Sequence, residues 1–389
     1  MKEARINESR LKIATDSSKE SVSKKDFPRI FRRRSANQAM EDAANMPIPN
    51  MLFGEFIFEE ELTVLYTKPN VGKSLLAMHI TEMIATGTGL EGLKNESEPQ
   101  KVIYVDLELS DQQRRIRYSE EIINPKTGKR EYYNAYNFHK NVIIVDYNYE
   151  EIPKRYDRLE VIFKNIEAEF EETGAKVMVI DNISWLTMKG LERSDHAKEL
   201  MSKLANLVKN KKYGMLVVAH TPKISENTPI ELGHLSGSGT IGNAVDAAFI
   251  INDSYVQGHP YKYLKMTKAR SCPKVYNSRN VLNITLDYIR PNFIGASIVE
   301  VDDDLKFEIN HLNADVPMGT VVYDEQQKRE AQLKIKRVLD EDPDISSRQL
   351  AKIIGVSHTT TIKYKKQVLD NPQLFDGYMN PKAEEDGDS

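Results

Sequence analysis

The chain has 389 residues, of which 40% are hydrophobic and 29% are charged, with a net charge of −4. These values predict one large soluble domain with one or two smaller ones, and they exclude a polycation, so any nucleic-acid binding must come from local basic patches. The single cysteine, Cys272, excludes a disulfide framework within the chain, and neither a secretory signal nor a membrane-spanning apolar run is present, so we expect a cytoplasmic protein.

Residues 1–45 are rich in Lys, Arg, Ser and Asn and show little hydrophobic periodicity, so we interpret them as a basic flexible arm. Its most basic stretch is KKDFPRIFRRR, residues 24–34. A charge run of this kind is either a solvated, disordered segment or a contact for a nucleic-acid phosphate backbone.

Residues 46–300 have the pattern of an α/β domain. Short, β-branched, apolar runs alternate with helical stretches, which is typical of a mainly parallel sheet covered on both faces. The predicted strands are 61–67, 101–108, 141–147, 176–182, 214–220 and 247–253, and the predicted helices are 73–86, 110–121, 157–173 and 195–211. Residues 261–270 and 281–289 predict two further strands, which could be antiparallel.

The remaining sequence divides into three parts. Residues 301–325 are acidic and irregular, and we interpret them as a linker. Residues 326–372 are helical again and form a candidate second domain, followed by an acidic tail, 373–389, which we expect to be disordered.

The first chemical motif follows the strand at 61–67. The sequence TKPNVGKS matches the phosphate-binding pattern G-x-x-x-x-G-K-[ST], except that Thr67 replaces the first glycine. A loop between a strand and a helix cradles phosphates with backbone N–H groups, and Lys73 would reach the β- and γ-phosphates of ATP while Ser74 would bind Mg²⁺. The predicted nucleotide-binding residues are Thr67, Lys68, Pro69, Asn70, Val71, Gly72, Lys73 and Ser74, with Lys68 exposed on the loop.

Polar residues that end the other predicted strands supply the remaining chemistry. Asp181 ends an apolar strand and is a candidate Mg²⁺ ligand, although a residue there could instead only cap the following helix. Asn182 follows it, so a base that activates water must come from another strand, and we favour Glu108, with Asp106 in a supporting role. Glu108 could alternatively only open the next helix. His220 ends a further strand and either touches the γ-phosphate or is a satisfied structural histidine.

These motifs, in this order, resemble the RecA/DnaB-like ATPases, and within them the RepA-type hexameric ATPases of plasmids and mobile elements. The resemblance covers residues 50–290 and includes VDLELSDQQRRIR, LSGSGTIGNAVDAAFII and KMTKARS. It implies a RecA-like P-loop NTPase core. It also implies that Lys268 and Arg270 reach the γ-phosphate bound by a neighbouring subunit, so that the protein is a homo-oligomer. The alternative is a surface basic pair.

The C-terminal sequence DISSRQLAKIIGVSHTTTIKYKKQVL, residues 344–369, has the pattern of a helix-turn-helix. Ser346 or Ser347 would cap the first helix, Gly355 would form the turn, and Ser357 would cap the second helix. The residues predicted to pack inward are Ile353, Ile354, Val356, Ile362 and Val368. The residues predicted to face DNA are Thr359, Thr360, Lys363, Lys365 and Lys366. A small oligomerisation or docking module is the alternative.

The sequence therefore predicts a Mg²⁺-dependent ATPase that acts on DNA, with no membrane association. By resemblance it is a ring-forming motor or helicase, a hexamer, of a plasmid or mobile element. A DNA-binding regulator that uses ATP as an assembly switch stays open. A ParA-type partition ATPase is a third hypothesis, because Lys68 gives the spacing K-x-x-x-G-K-[ST], although the K-G-G start of that family is lacking.

Overall fold

The computed structural model describes residues 31–147, 152, 155–183, 194–235, 242–256, 261–313, 325–354 and 358–371. The chain divides into two compact units, Met1–Ile48 and Pro49–Ser389. In the first unit, helix α1 (Ala36–Ala44) begins at Ser35, whose hydroxyl accepts a hydrogen bond from the Gln38 N–H. Part of the predicted flexible arm is therefore helical. Most of the basic stretch 24–34 lies outside the described residues.

A nine-stranded sheet, in the order β13-β12-β11-β10-β3-β9-β8-β4-β7, forms the centre of the second unit. From β10 to β7 neighbouring strands are parallel, and β11, β12 and β13 extend the sheet with antiparallel pairs. The strands of this sheet are β3 (Leu62–Thr67), β4 (Val102–Asp106), β7 (Val142–Asp146), β8 (Val177–Asp181), β9 (Gly214–His220), β10 (Ala247–Asp253), β11 (Lys262–Lys268), β12 (Leu282–Arg290) and β13 (Phe293–Ile298).

Helices cover both faces of this sheet. The described helices of the core are α2 (Lys73–Thr86), α3 (Asp111–Arg117), α4 (Arg158–Thr173) and α5 (Ser194–Lys211). In β3 the side chains alternate: Val64 and Tyr66 pack in the cluster that contains α4 and α5, and Leu65 packs in the cluster that contains α2. The prediction of an α/β fold with a mainly parallel, doubly covered sheet is confirmed, and no described helix is long and apolar enough to cross a membrane.

Two hairpins lie outside the main sheet. Strands β1 (Met51–Phe53) and β2 (Ile57–Phe58) form one, and β5 (Glu120–Ile123) and β6 (Arg130–Tyr133) form the other. The second hairpin corrects the predicted helix 110–121, because α3 ends at Arg117 and the chain then turns into a strand. All four β5 residues are exposed, so neither face leaves an alternating hydrophobic pattern in the sequence.

The beginning of the predicted linker is packed on the core. Two 3-10 turns, Asp303–Lys306 and Glu308–His311, follow β13. The Glu308 carboxylate accepts a hydrogen bond from the Lys265 ammonium of β11 at 2.7 Å, and both side chains are 2% exposed. A buried cation requires such a partner, so this acidic segment is held against the sheet. Residues 314–324 lie outside the described residues.

Three C-terminal helices pack around a small apolar core: α6 (Glu325–Glu341), α7 (Ser347–Ile354) and α8 (His358–Asp370). Ile335, Leu350 and Val368 are fully buried there, and Ser346 caps α7 by accepting the Gln349 N–H. Ile353 and Ile362 are 60% and 48% exposed, so the prediction that both pack inward is wrong. The predicted turn and cap at Gly355, Val356 and Ser357 lie outside the described residues.

Acid should weaken this fold through His79 of α2. Burial, with Arg290 nearby, lowers the pKa of this 4%-exposed imidazole from 6.5 to about 4. His79 Nδ1 also accepts the Ala296 N–H at 2.9 Å, which a protonated Nδ1 could not do. The folded state thus binds fewer protons than the unfolded state between these values, so stability is complete above pH 6.5 and is lost as pH falls towards 4.

We expect this one group to reduce the free energy of unfolding by about 2 kcal/mol between pH 7.5 and pH 5. Urea unfolding at both pH values measures the change. His79→Asn is the matched control, since its amide oxygen can still accept the Ala296 N–H without titrating. Equal pH dependence in the wild type and His79→Asn would show that His79 is not the cause.

Candidate functional site

The carboxyl ends of β3, β9, β8 and β4 meet at one edge of the sheet. The strand register places Thr67 of β3 opposite His220 of β9, and Asp106 of β4 opposite Asp181 of β8. In open parallel sheets, side chains and loops that follow the strand ends converge on a common crevice. The polar residues that the sequence places after these apolar strands are therefore brought together here.

The loop between β3 and α2 does not need a glycine at position 67. Thr67 is the last residue of the extended strand, and the left-handed residues are Asn70, with φ +63°, and Gly72, with φ +102°. Asparagine tolerates this region better than most residues. At Gly72 an added Cβ would also lie 2.4 Å from Cδ1 of Leu286, so that glycine has both a conformational and a steric reason.

The N-terminus of α2 has the features of a phosphate site. Gly72 precedes the helix, and no side chain caps its first N–H groups, which remain suited to an anion. The Lys73 ammonium donates hydrogen bonds to the carbonyl oxygens of Lys68 at 2.7 Å and Thr67 at 3.4 Å. Burial lowers the pKa of Lys73 to about 8, while Asp181 and Glu108 oppose that shift. A phosphate beside this desolvated ammonium would restore a preference for the charged form.

A cavity of about 500 Å³ opens above the loop. It brings together residues from β3–α2, β4–α3, β8 and β9. Its lining residues are Pro69, Asn70, Gly72, Lys73, Ser74, Leu75, Glu108, Arg117, Asp181 and His220. Of the predicted nucleotide-binding residues, Thr67, Lys68 and Val71 do not line it. Thr67 and Val71 are buried, and Lys68 is partly buried rather than exposed as predicted, with its pKa lowered by burial.

Asp181 is a buried carboxylate with one oxygen engaged. Its Oδ2 accepts a hydrogen bond from the Tyr104 hydroxyl at 2.6 Å, and its Oδ1 is buried with no partner among the described residues. Burial raises the pKa of Asp181, and the hydroxyls of Tyr104 and Ser74 oppose that rise. An unpaired buried oxygen next to a serine hydroxyl fits Mg²⁺, which prefers one or two protein oxygens together with phosphates and water.

Glu108 is held at the cavity by a turn that Asp106 organises. Asp106 Oδ1 accepts the N–H groups of Glu108 at 3.2 Å and Leu109 at 3.0 Å. Asp106 Oδ2 lies 3.3 Å from Nη2 of Arg114, which also donates to Asp146 at 2.7 Å. Asp106 therefore shapes the backbone beneath Glu108. The helix itself is capped by Ser110 and Gln113, so Glu108 is not needed for that purpose.

Asn182 connects Glu108 to His220. Its side-chain amide donates to Glu108 Oε1 and lies 2.7 Å from Nε2 of His220, and His220 Nε2 lies 3.6 Å from Glu108 Oε1. His220 Nδ1 is buried without a hydrogen-bond partner among the described residues. The sequence identified Asn182 only as the absence of a carboxylate, whereas the structure gives it contacts with two candidate catalytic groups.

Two further groups of the site, Tyr104 behind Asp181 and Arg117 in the cavity wall, were not singled out from the sequence. Tyr104 lies inside the buried strand β4, where the sequence cannot distinguish a functional tyrosine from an ordinary core residue. Arg117 is the last residue of α3, in a segment noted only as arginine-rich. The cavity end of α3 could have been found only by knowing where the helix stops, because Arg114, Arg115 and Arg117 face different neighbours.

Lys268 and Arg270 lie at the opposite edge of the sheet, where the parallel strands β3 and β10 begin. Because β11 is antiparallel to β10, Lys268 pairs with Ala248, and the adjacent Ala247 pairs with Thr63 near the start of β3. The strand between Thr63 and Thr67 alone spans roughly 13 Å. The structure thus does not bring these two cations to the cavity of their own chain. Lys268 donates to the Gly242 carbonyl and Arg270 to Asp246, each at 2.6 Å.

The candidate DNA-contacting residues lie on α8 and its surroundings. Lys363 and Lys366 are exposed, and Thr360 is partly buried. The Lys365 ammonium donates to the Ile345 carbonyl at 2.8 Å, so it is engaged within the helical unit and does not point freely outward as predicted. Thr359 lies within α8, and its side chain is outside the described part of the structure.

A family model described as the AAA domain matches residues 28–226, which include the loop, Glu108, Asp181 and His220. Among solved structures, the chain is similar to a KaiC-like protein from the hyperthermophilic archaeon Pyrococcus horikoshii OT3. The two share 16% identity with a TM-score of 0.42, over 63% of this chain and 91% of that chain. No curated protein matches the sequence.

The loop geometry predicts which substitutions disturb nucleotide binding. Asn70→Val places a β-branched residue at φ +63°, and we expect ATP affinity to fall about tenfold, whereas Asn70→Gly binds like the wild type. Thr67→Gly should leave ATP affinity within about threefold, because Thr67 is not one of the left-handed residues of the loop. It should lower the free energy of unfolding by about 1 kcal/mol, because it replaces a β-branched strand residue by glycine. Equilibrium ATP binding and urea unfolding measure both effects. A large gain in affinity for Thr67→Gly would contradict this geometry.

Proposed function

The chain belongs to the AAA domain family, and we propose that it is a Mg²⁺-dependent ATPase whose active sites are shared between copies of the chain and whose reaction acts on DNA. ATP hydrolysis is the reaction of this class of P-loop protein. One observation carries the finer proposal: a single cavity collects Lys73, Ser74, Asp181, Glu108 and His220, while Lys268 and Arg270 lie at the other edge of the sheet.

The loop and α2 bind the triphosphate. Backbone N–H groups at the start of α2 and the Lys73 ammonium hold the β- and γ-phosphates. The Ser74 hydroxyl and Asp181 Oδ1 would hold Mg²⁺, which neutralises charge on those phosphates when bound. Among the described residues no cluster of three His, Cys, Asp or Glu side chains could hold a metal. We propose that the phosphates of the nucleotide supply further ligands of the ion.

Glu108 is the group that activates water. The water oxygen attacks the γ-phosphorus, the bond to the ADP oxygen breaks, and Glu108 accepts the proton of the water. Asn182 orients Glu108 through its amide hydrogen bond. His220, which contacts the same amide, is placed to sense whether the γ-phosphate is present.

Lys268 and Arg270 act on the site of a neighbouring copy. Charge that develops on the transferred phosphoryl group needs fixed cations, and these two residues cannot reach the cavity of their own chain. Their present partners, Asp246 and the Gly242 carbonyl, hold the pair at the sheet edge. The side chain of Arg270 is still 43% exposed, so it remains accessible to a second copy. We propose a ring, a hexamer by resemblance, as the assembly.

The C-terminal helical unit is proposed to contact DNA as a helix-turn-helix. Its support is the fixed packing of α7 and α8 and the exposed ammonium groups of Lys363 and Lys366 on α8. The setting that fits these parts is a RepA-like motor of a plasmid or mobile element. A DNA-binding regulator that uses ATP as an assembly switch is the second candidate function. The exposed Ile353 and Ile362 favour a separate alternative for these helices, a docking or oligomerisation module.

The partition-type alternative finds less support. A ParA-type function would require Lys68 to reach the nucleotide site of the other subunit in a dimer. Here Lys68 is partly buried, and the carboxylates that oppose the lowering of its pKa by burial are Glu226 and Asp253 of the same chain.

The shared site can be tested by mixing inactive variants. Lys73→Ala removes phosphate binding in its own site, and Arg270→Ala lowers ATP turnover by about 10³-fold by removing the cation from the neighbour's site. A mixture of the two should recover part of the activity, because some sites contain Lys73 from one chain and Arg270 from the next. Arg279→Ala is the control, because Arg279 is an exposed arginine in the same connection between β11 and β12. Normal turnover in Arg270→Ala would contradict the shared site.

The salt dependence of DNA binding tests the C-terminal unit. We expect Lys363→Ala/Lys366→Ala to reduce the slope of log affinity against log salt by about two, because two phosphate contacts are lost. Lys365→Ala should instead lower the free energy of unfolding by about 1 kcal/mol and keep the slope, since its ammonium bonds Ile345. An unchanged slope in the double variant would favour the docking module. Strand-displacement assays with single- and double-stranded DNA separate a motor from a regulator.

A further inference from the structure

A second cation, besides Lys73, reaches the nucleotide cavity from within the same chain. Arg117 lines the cavity together with Lys73, Glu108 and His220, although it comes from a different element than any of them. Lys268 and Arg270 are at the far edge of the sheet, so among the residues that the structure describes, Arg117 and Lys73 are the lysine and arginine side chains in the cavity wall. The inference below rests on the proposed ATPase function of that cavity.

The position of Arg117 is set by a short, firmly anchored helix. Helix α3 begins with a reciprocal capping pair, in which Ser110 accepts the Gln113 N–H and Gln113 accepts the Ser110 N–H. One turn later Arg114 bonds both Asp106 and Asp146 at the ends of β4 and β7. The same Asp106 fixes the backbone of Glu108. Glu108 and Arg117 are therefore carried at the two ends of one rigid segment.

The Arg117 side chain lies beside a rigid neighbour, the adjacent Tyr118. Burial raises the pKa of Tyr118 to about 12, and the nearby charge of the Arg117 guanidinium opposes that rise. Tyr118 is 5% exposed. Its ring packs edge-on against Phe138, with centroids 5.0 Å apart, and stacks on Phe293 at 6.1 Å. A planar guanidinium that lies beside such a buried, packed ring has less side-chain freedom to lose when it bonds a phosphate.

We propose that Arg117 is a catalytic residue that contacts the phosphate oxygens of ATP bound in its own chain, and that Tyr118 is the positioning residue that orients it. The water proton still passes to Glu108, and the bond that breaks is the one to the ADP oxygen. Arg117 donates hydrogen bonds to the oxygens on which negative charge grows, and it exchanges no proton. Each site then combines cations from its own chain with Lys268 and Arg270 from a neighbour.

Steady-state ATP hydrolysis by the full chain tests this assignment. We expect Arg117→Ala to lower kcat by about 10²–10³-fold, while ATP affinity changes by less than about tenfold. Arg115→Ala is the matched control, because Arg115 is exposed on the same helix and donates to the Tyr132 carbonyl of the β5–β6 hairpin at 3.0 Å. Added guanidinium should restore part of the activity of Arg117→Ala and none in Lys73→Ala. A kcat for Arg117→Ala within threefold of that for Arg115→Ala overturns the proposal.

Tyr118→Phe tests the positioning role without removing the ring. We expect kcat to fall about three- to tenfold in Tyr118→Phe, and to show no further fall when the same change is added to Arg117→Ala. Additive losses would mean that Tyr118 acts independently of Arg117 and would overturn the positioning role. Arg117→Lys and Tyr118→Phe keep the test valid if Arg117→Ala does not fold, which its urea unfolding curve will show.

Mixing experiments separate this inference from the shared site. If Arg117 acts in its own chain, Arg117→Ala mixed with Arg270→Ala regains activity, because the Arg270→Ala chain keeps Lys73 and Arg117 and receives Arg270 from its neighbour. Arg117→Ala mixed with Lys73→Ala stays inactive, since both defects lie in the same site. The reverse pattern overturns the assignment. If no mixture recovers, the shared site fails, while the loss of kcat in Arg117→Ala still supports Arg117.

Discussion

The parallel register of the central strands is the constraint on which the rest of the structure depends. Thr67 pairs with His220 and Asp106 with Asp181, so the chain leaves the sheet at the same level in each strand. These strands are buried on both faces, and Asp106, Asp181 and His220 each stand at the end of a strand. A slip of one residue would turn Asp181 to the other face of the sheet and separate it from Ser74.

This arrangement gathers groups that are unfavourable to bury together. Burial lowers the pKa of Lys73 and raises that of Asp181, and Asp181 Oδ1 and His220 Nδ1 have no hydrogen-bond partners among the described residues. A phosphate, a divalent cation or a water molecule would supply the interactions that these buried polar groups lack. The hydrogen bonds from Tyr104 to Asp181 and from Asn182 to Glu108 hold the two carboxylates in place before a ligand binds.

The antiparallel extension of the sheet explains why one chain is not sufficient for the proposed reaction. When β11 reverses direction it carries Lys268 and Arg270 to the edge where β3 begins. The next strand, β12, returns towards the loop, and Leu286 packs on Gly72. The same three strands therefore support the phosphate loop of their own chain and present cations away from it. In the proposed ring, this edge of each sheet would face the cavity edge of the next sheet, so that both functions could be used.

The sequence predicted those parts of the fold whose burial leaves a pattern. The bounds of α2, β9 and β10 agree with the structure, because their apolar runs stop where the chain leaves the core. The exposed hairpin β5–β6 was missed because neither of its faces is buried, and the turns at 303–311 were missed because an acidic segment gives no sign of the buried Lys265 that binds it. Ile353 and Ile362 were placed inside by composition alone, although helix packing leaves them in solvent.

The site likewise contains residues that the sequence pattern identifies and residues that only the structure identifies. Residues at strand ends could be found, since a polar residue after an apolar run is visible in the sequence. Arg117 could not, because its role depends on where α3 stops and on the Tyr118 hydroxyl beside it. Thr67 departs from the phosphate-loop sequence pattern, but this departure does not change the structure of the loop. In the structure Thr67 is the last residue of β3. The left-handed turns fall on Asn70 and Gly72, so the motif is intact in the property that binds phosphate, the direction of its backbone.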